Sequence, residues 1–212
     1  FIEFNEEDIT EAVAMVIAPK DSVYKNGILY FKIKFPTDYP FNPPKVNYIS
    51  RGSIRIHPNL YTGSSRDDYL GKVCLSILGT WSGPQWSTIM DIGTVMISVQ
   101  SLLDNNPLDN EPGFSGKVTK NHLLYKDCII YEKYRTLINK NIFTIPDELS
   151  CFKEHIHEHY KTNRDDIMKE LIKLSSSDKD RIAISLSIYR INIILNYSSL
   201  KQHLQDIEQS II

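Results

Sequence analysis

Val13, Met15 and Ile17 recur at every second position within residues 11–17, the spacing of a half-buried strand. Lys25-Asn26-Gly27 is a turn signal. Residues 28–35 then alternate, with Ile28, Tyr30, Lys32 and Lys34 on one side and Leu29, Phe31, Ile33 and Phe35 on the other. The two segments predict an antiparallel hairpin. Residues 46–50 predict a third strand and residues 73–75 a fourth, a meander of about four strands. The period then changes. Ile92, Val95, Met96, Val99, Leu102 and Leu103 share a helical face, and Ser87 is the expected N-cap of a helix over residues 88–104 that Asn105-Asn106-Pro107 ends. Further helices are predicted over residues 120–139, 147–174 (after Pro146), 178–196 (capped by Ser177) and 199–211.

Proline usage follows the same division. Nine of the ten prolines lie at or before Pro112, so turns and strands belong to the first part and helices to the rest. The fold class expected is α+β, with helices on one side of the sheet. Apolar residues make up 42% of the 212 and charged residues 24%, enough for a packed core and against wholesale disorder. Lys plus Arg is 24 against 26 Asp plus Glu, which lacks the basic excess of a general nucleic-acid binder. Cys74, Cys128 and Cys151 lie far apart, which argues against a disulfide framework and for a reducing compartment. The most apolar stretch, residues 182–195, is broken by Arg190 and Asn192, so no membrane span is expected. No signal-peptide pattern is present, and an opening on Phe1 rather than Met leads us to expect a natural start further upstream.

Candidate chemistry is densest before residue 80. Pro36, Pro40, Pro43 and Pro44 exclude a central strand or helix and predict a rigid extended loop, which either serves as a crossover or presents Phe41 to a partner. Taken singly, Cys74 between apolar neighbours reads as a buried, inert thiol, and His57-Pro58-Asn59 reads as a turn. Taken together, the Tyr39-Pro40…Pro43-Pro44 loop, the His57-Pro58-Asn59 turn, Cys74-Leu75-Ser76-Ile77-Leu78, and a Trp86-Ser87 step into an amphipathic helix resemble the ubiquitin-conjugating enzyme family over residues 12–114. Gly79-Thr80-Trp81 and Asn110-Glu111-Pro112-Gly113-Phe114 are similar to two of its branches. One is the conjugating enzyme served by the second ubiquitin-activating enzyme, which carries a helical C-terminal extension. The other is the large hybrid conjugating enzyme/ligases.

The resemblance implies a catalytic core over residues 1–114, with the family's first helix upstream. Residues 115–212 would supply its closing helix and then an extension. It implies that Cys74 receives ubiquitin or a ubiquitin-like protein from an activating enzyme as a thioester and passes it to a lysine. Asn59 would stabilise the oxyanion or hold the loop that frames it, His57 would fix the turn, and Asp109 would orient the lysine or accept its proton. Phe41, Trp86, Ser87 and Thr88 are the ligase-contact candidates, for a RING- or HECT-type ligase. No bound cofactor is implied, since ATP is consumed by the activating enzyme. The setting implied is cytoplasmic, nuclear or both, with no nucleic-acid or membrane partner.

The chain departs from the pattern at several points. Asn59 and Cys74 are fifteen positions apart (74 − 59) where most members have about eight, so residues 61–70 hold an insertion, made polar by Arg66, Asp67 and Asp68. Ser76 stands where many lysine-directed members have Asp, which leaves other acceptors open. Ser87-Thr88-Ile89 replaces a common Ser-Pro-Ala. Trp81 and Trp86 read as core packing. Cys151, His155 and His159 fall on one helical stripe, which reads as a solvated face rather than a metal site. The apolar run at residues 182–195 predicts that the C-terminal helices dock on the catalytic core, because so many Ile and Leu side chains would otherwise stay wet.

Overall fold

The computed structural model describes residues 1–63 and 69–211. The polar residues expected of the insertion, Arg66, Asp67 and Asp68, lie outside the described residues. The chain divides into two units, Phe1–Ser115 and Gly116–Ile212.

The first unit is an antiparallel meander in the order β1-β2-β3-β4-β5. Strand β1 is Ile2–Phe4, β2 Glu11–Ile17, β3 Ile28–Lys34, β4 Lys45–Ile49 and β5 Leu70–Lys72. The predicted hairpin is β2–β3, with Glu11 opposite Lys34 and Ile17 opposite Ile28. Asn26 in its turn has φ 67°, a conformation Asn tolerates well. The sheet has five strands where about four were expected. The additional edge strand is β1, whose three residues are too few to show a period and which is held by pairing Phe4 with Ala12. The last strand is residues 70–72, not 73–75. Val73 makes only an isolated bridge to Leu60, because the chain leaves the sheet there to form the Cys74 segment.

Helix α1, Ile92–Leu102, packs on β2 with Ile92, Val95, Met96 and Val99 buried. It starts later than residue 88. Asp91 is the N-cap, its carboxylate accepting from the Thr94 backbone N–H at 2.8 Å, while Ser87 sits in a preceding turn whose carbonyl accepts from the Met90 N–H. A charged cap outcompetes a hydroxyl one turn earlier.

In the second unit, α2 is Lys120–Glu132 and runs into a π-helical stretch, Lys133–Lys140, and a single turn α3, Asn141–Phe143. After a 3-10 segment, Asp147–Phe152, comes α4, Lys153–Ser175. The helix predicted over residues 178–196 is instead a hairpin, β6 Ala183–Leu186 and β7 Ile191–Ile194, followed by α5, Tyr197–Ile211. The apolar side chains that suggested a helix alternate: Ile184 and Leu186 are buried while Ala183 and Ser185 are exposed, so the period is two. The Ser185 hydroxyl bonds the Asn192 amide oxygen across the hairpin at 2.7 Å. Ile184, Leu186, Ile191 and Leu195 are buried, β6 packs on α2, and Ile182 and Ile194 stay exposed.

One close approach in the first unit places the Cys74 strand. A Cβ built on Gly71 would lie 1.6 Å from the Tyr61 carbonyl oxygen, and the Tyr61 N–H donates to the Lys72 carbonyl at 3.0 Å. Only a residue without a side chain lets these backbones meet. Gly71→Ala is therefore expected to destabilise the protein by more than about 3 kcal/mol, beyond ordinary overpacking because the obstacle is backbone. Chemical denaturation against wild type checks this, and a loss under about 1 kcal/mol would contradict the packing described.

Candidate active site

Cys74 follows β5 and is 2% exposed. Asn59, also buried, is strapped to it twice. Its side-chain Nδ2 donates to the Cys74 carbonyl at 2.7 Å, and the Cys74 N–H donates to the Asn59 carbonyl at 2.8 Å. The orientation of the amide is forced, since its oxygen would repel that carbonyl. Asn59 is itself set by His57, whose Nδ1 accepts from the Asn59 backbone N–H at 3.0 Å. The imidazole is fully buried beside Tyr24, whose hydroxyl donates to the Ile56 carbonyl at 2.6 Å. Burial lowers the His57 pKa to about 3, against the opposing pull of the Leu102 carbonyl. The ring is thus neutral with its proton on Nε2, which suits a structural part and not proton transfer.

Burial pushes the Cys74 thiol up, while the charges of Lys72 and Arg55 and a hydrogen bond from Tyr61 oppose it. The Arg55 guanidinium lies 3.5 Å from the Tyr61 ring centroid and also bonds the Pro58 carbonyl, so it ties the Asn59 turn to Tyr61. Neither residue was singled out in sequence, because neither belongs to the motifs.

Thr80, which entered the sequence reading only as part of Gly79-Thr80-Trp81, has a structural part that the motif does not show. Its hydroxyl accepts from the Leu75 N–H at 2.9 Å and donates to the Val73 carbonyl at 2.8 Å, so it clasps both neighbours of Cys74. The clasp depends on Gly79, which takes φ 66° after the 3-10 turn Ser76–Leu78 and returns the chain to Thr80. Ser76 opens that turn, half-buried, and its carbonyl accepts from the Gly79 N–H.

Asp109 lies on the 3-10 turn Pro107–Asn110 and is exposed. Its charge, after burial, helps to raise the carboxyl of Asp104. Phe41 is 76% exposed on the proline loop. Trp86 is joined to that loop, with Nε1 donating to the Pro40 carbonyl at 2.7 Å and the ring beside Tyr39 at 6.1 Å. Phe41 and Trp86 thus stand on linked loops, with Ser87 half-buried and Thr88 exposed. Trp81 does not pack in the core as expected. It is 36% exposed. Among the described residues no group of three metal-ligating side chains is assembled, and Cys151 sits in the 3-10 segment before α4 rather than on the helix that carries His155 and His159.

Two outcomes are expected. Thr80→Val should cost about 2 kcal/mol, since it strands the Leu75 N–H and the Val73 carbonyl, and Thr80→Ser should recover most of it. Amide exchange at Leu75 reads the effect directly, and unchanged protection in Thr80→Val would contradict the clasp. For His57, the unfolded chain protonates near 6.5 and the folded chain near about 3. Stability is therefore full above about 6.5 and declines on acidification by up to about 1.4 kcal/mol per pH unit from this group. An NMR titration should find the ring still neutral at about pH 4.5, whereas a midpoint near 6.5 would refute its burial.

The family model described as "Ubiquitin-conjugating enzyme" matches residues 2–121. The chain is 40% identical over 144 residues to Ubiquitin-conjugating enzyme E2 Z of Danio rerio, which covers 65% of this chain and 41% of that protein. It is 37% identical over 171 residues to the Xenopus tropicalis protein of the same name, covering 76% and 51%. The human Dual E2 ubiquitin-conjugating enzyme/E3 ubiquitin-protein ligase BIRC6 is 33% identical over 233 residues, covering 100% of this chain and 4% of that protein. The chain thus spans about half or less of the length of these relatives. With the strapped cysteine in place on an α+β meander, and a family match over more than half its length, the chain belongs to the ubiquitin-conjugating enzyme family.

Proposed function

We propose that the chain carries ubiquitin or a ubiquitin-like protein as a thioester on Cys74 and transfers it to a lysine. The observation that carries this reading is the strapping of Cys74 between Asn59 and Thr80 inside the region matched by the family. In the loading step, the Cys74 thiolate attacks the carbonyl carbon of the modifier's thioester on the activating enzyme. The tetrahedral intermediate expels the donor thiolate, so one C–S bond forms and one breaks. In the transfer step, a neutral lysine amine attacks the new thioester to form a C–N bond, the tetrahedral intermediate gives its ammonium proton to water, and the C–S bond breaks to release the Cys74 thiolate. The thioester is already activated, so the site mainly positions it.

One N–H of the Asn59 side chain is committed to the Cys74 carbonyl, and the amide's second N–H is the donor for the developing oxyanion. Asp109, exposed on its 3-10 turn, is the candidate to orient the incoming amine. Phe41 and the linked Trp86, Ser87 and Thr88 loop form the ligase-contact surface. The finer assignment, to the branch served by the second ubiquitin-activating enzyme, is supported by Gly79-Thr80-Trp81 and by the relatives named E2 Z. A second reading, a conjugating domain within a larger hybrid ligase, is favoured by the alignment to BIRC6 over the whole chain. A catalytically silent member of the same fold is disfavoured by the retained Cys74 and Asn59.

With activating enzyme, ATP and ubiquitin, wild type should form an adduct that thiol reductant removes. Cys74→Ala should form none, and Cys74→Ser should lose it or give a reductant-stable oxyester. Asn59→Ala should slow discharge to lysine by about 10²-fold if the amide serves the oxyanion. If it only holds the loop, charging and discharge should fall together with the thermal midpoint. A reducible adduct on Cys74→Ala would sink the assignment of the nucleophile.

A further inference from the structure

A groove of about 540 Å³ lies within the C-terminal unit. Ile142, Phe143, Ile145, Ile156 and Tyr160 give it an apolar lining. Phe143 meets Tyr160 edge to face with ring centroids 4.8 Å apart, and Ile156 is buried beneath. Glu208 lies at one end, but its charge is already met. Arg164 donates to it through Nε at 2.7 Å and Nη2 at 2.9 Å, and the Tyr160 hydroxyl donates as well. Burial would raise this carboxyl, yet the bonds from Arg164 and Tyr160 hold it below the ordinary range.

The remaining charge on the rim has one sign. Lys153, His157 and Lys161 stand at i, i+4 and i+8 on α4, one stripe along the groove, and all three are exposed. Among the described residues Lys153 and Lys161 have no ion pair, and the acidic residues nearby on the helix, Glu154 and Glu158, do not line the groove. Nothing in the chemistry proposed for Cys74 uses this surface.

We propose that the groove docks a short segment of a partner protein in which bulky apolar side chains lie beside acidic ones. The apolar lining would take the side chains, and Lys153 and Lys161 would meet the carboxylates. The volume is that of a site for a few side chains, in the usual range of roughly 300–1,000 Å³. The concave shape and one-sided charge fit a peptide better than a bilayer, which asks for a convex apolar face flanked by cations.

The full chain would be titrated into a fluorescein-labelled peptide, Glu-Asp-Leu-Phe-Glu-Asp, and read by anisotropy. Lys-Lys-Leu-Phe-Lys-Lys and Glu-Asp-Ser-Ser-Glu-Asp serve as controls. The first should bind at least about tenfold tighter than either control, and more weakly as salt rises. The double variant Lys153→Glu, Lys161→Glu should lose at least about tenfold in affinity with an unchanged thermal midpoint, and amide shifts should cluster at Phe143, Ile145 and His157. Equal binding of the cationic peptide, indifference to the double variant, no binding at about 1 mM, or sedimentation with phosphatidylserine vesicles in place of peptide binding would each overturn the proposal.

Discussion

The pair of hydrogen bonds between Asn59 and Cys74 is the constraint on which the site depends. It joins two stretches fifteen residues apart and holds the cysteine backbone against a turn that is itself rigid. His57 makes that turn rigid by spending a buried, neutral imidazole on a single backbone N–H. Burial favours the neutral ring, whose Nδ1 is then free to accept the Asn59 N–H and fix the turn. Thr80 closes the arrangement from the other side. Cys74 is therefore held through its own backbone and that of both its neighbours, by contacts that do not involve the thiol.

That division of labour explains the electrostatics. The burial that orders the segment also disfavours the thiolate, and Lys72, Arg55 and Tyr61 offset part of the penalty. A thiol above its ordinary range is a poor nucleophile toward an unactivated carbonyl but adequate for exchange with a thioester. The arrangement suits acyl transfer between sulfurs better than hydrolysis of amides.

Much of this was legible from residue order. The β2–β3 hairpin followed from strict alternation, and the helices expected over residues 147–174 and 199–211 are found at 153–175, after a 3-10 segment at 147–152, and at 197–211. The adjacency of Asn59 and Cys74 followed from motifs, not from pattern. Where the reading failed, a nearby competitor had won. Asp91 caps the helix in place of Ser87 because its carboxylate meets the Thr94 N–H in the first turn, while residues 87–90 close as a separate turn through the Met90 N–H. Residues 183–194 are rich in isoleucine, and a short apolar run fits either period until cross-strand partners decide it. Thr80 was read only as part of a motif, and its clasp was not, because it depends on where Gly79 sends the chain and a hydroxyl's partners are invisible in sequence. Arg55 and Tyr61 belong to the same class.

The contact between Gly71 and Tyr61 has a consequence for how this protein can change. Tyr61 and Lys72 are hydrogen-bonded at 3.0 Å, so the two ends of the intervening segment are pinned to each other and to β5. Whatever length of chain is spliced between them starts and finishes at the same two points. Loop closure grows only with the logarithm of length, about 0.6 kcal/mol for each doubling. A connector of different length at this junction would thus change the closure cost only slowly while its two ends keep the same anchor.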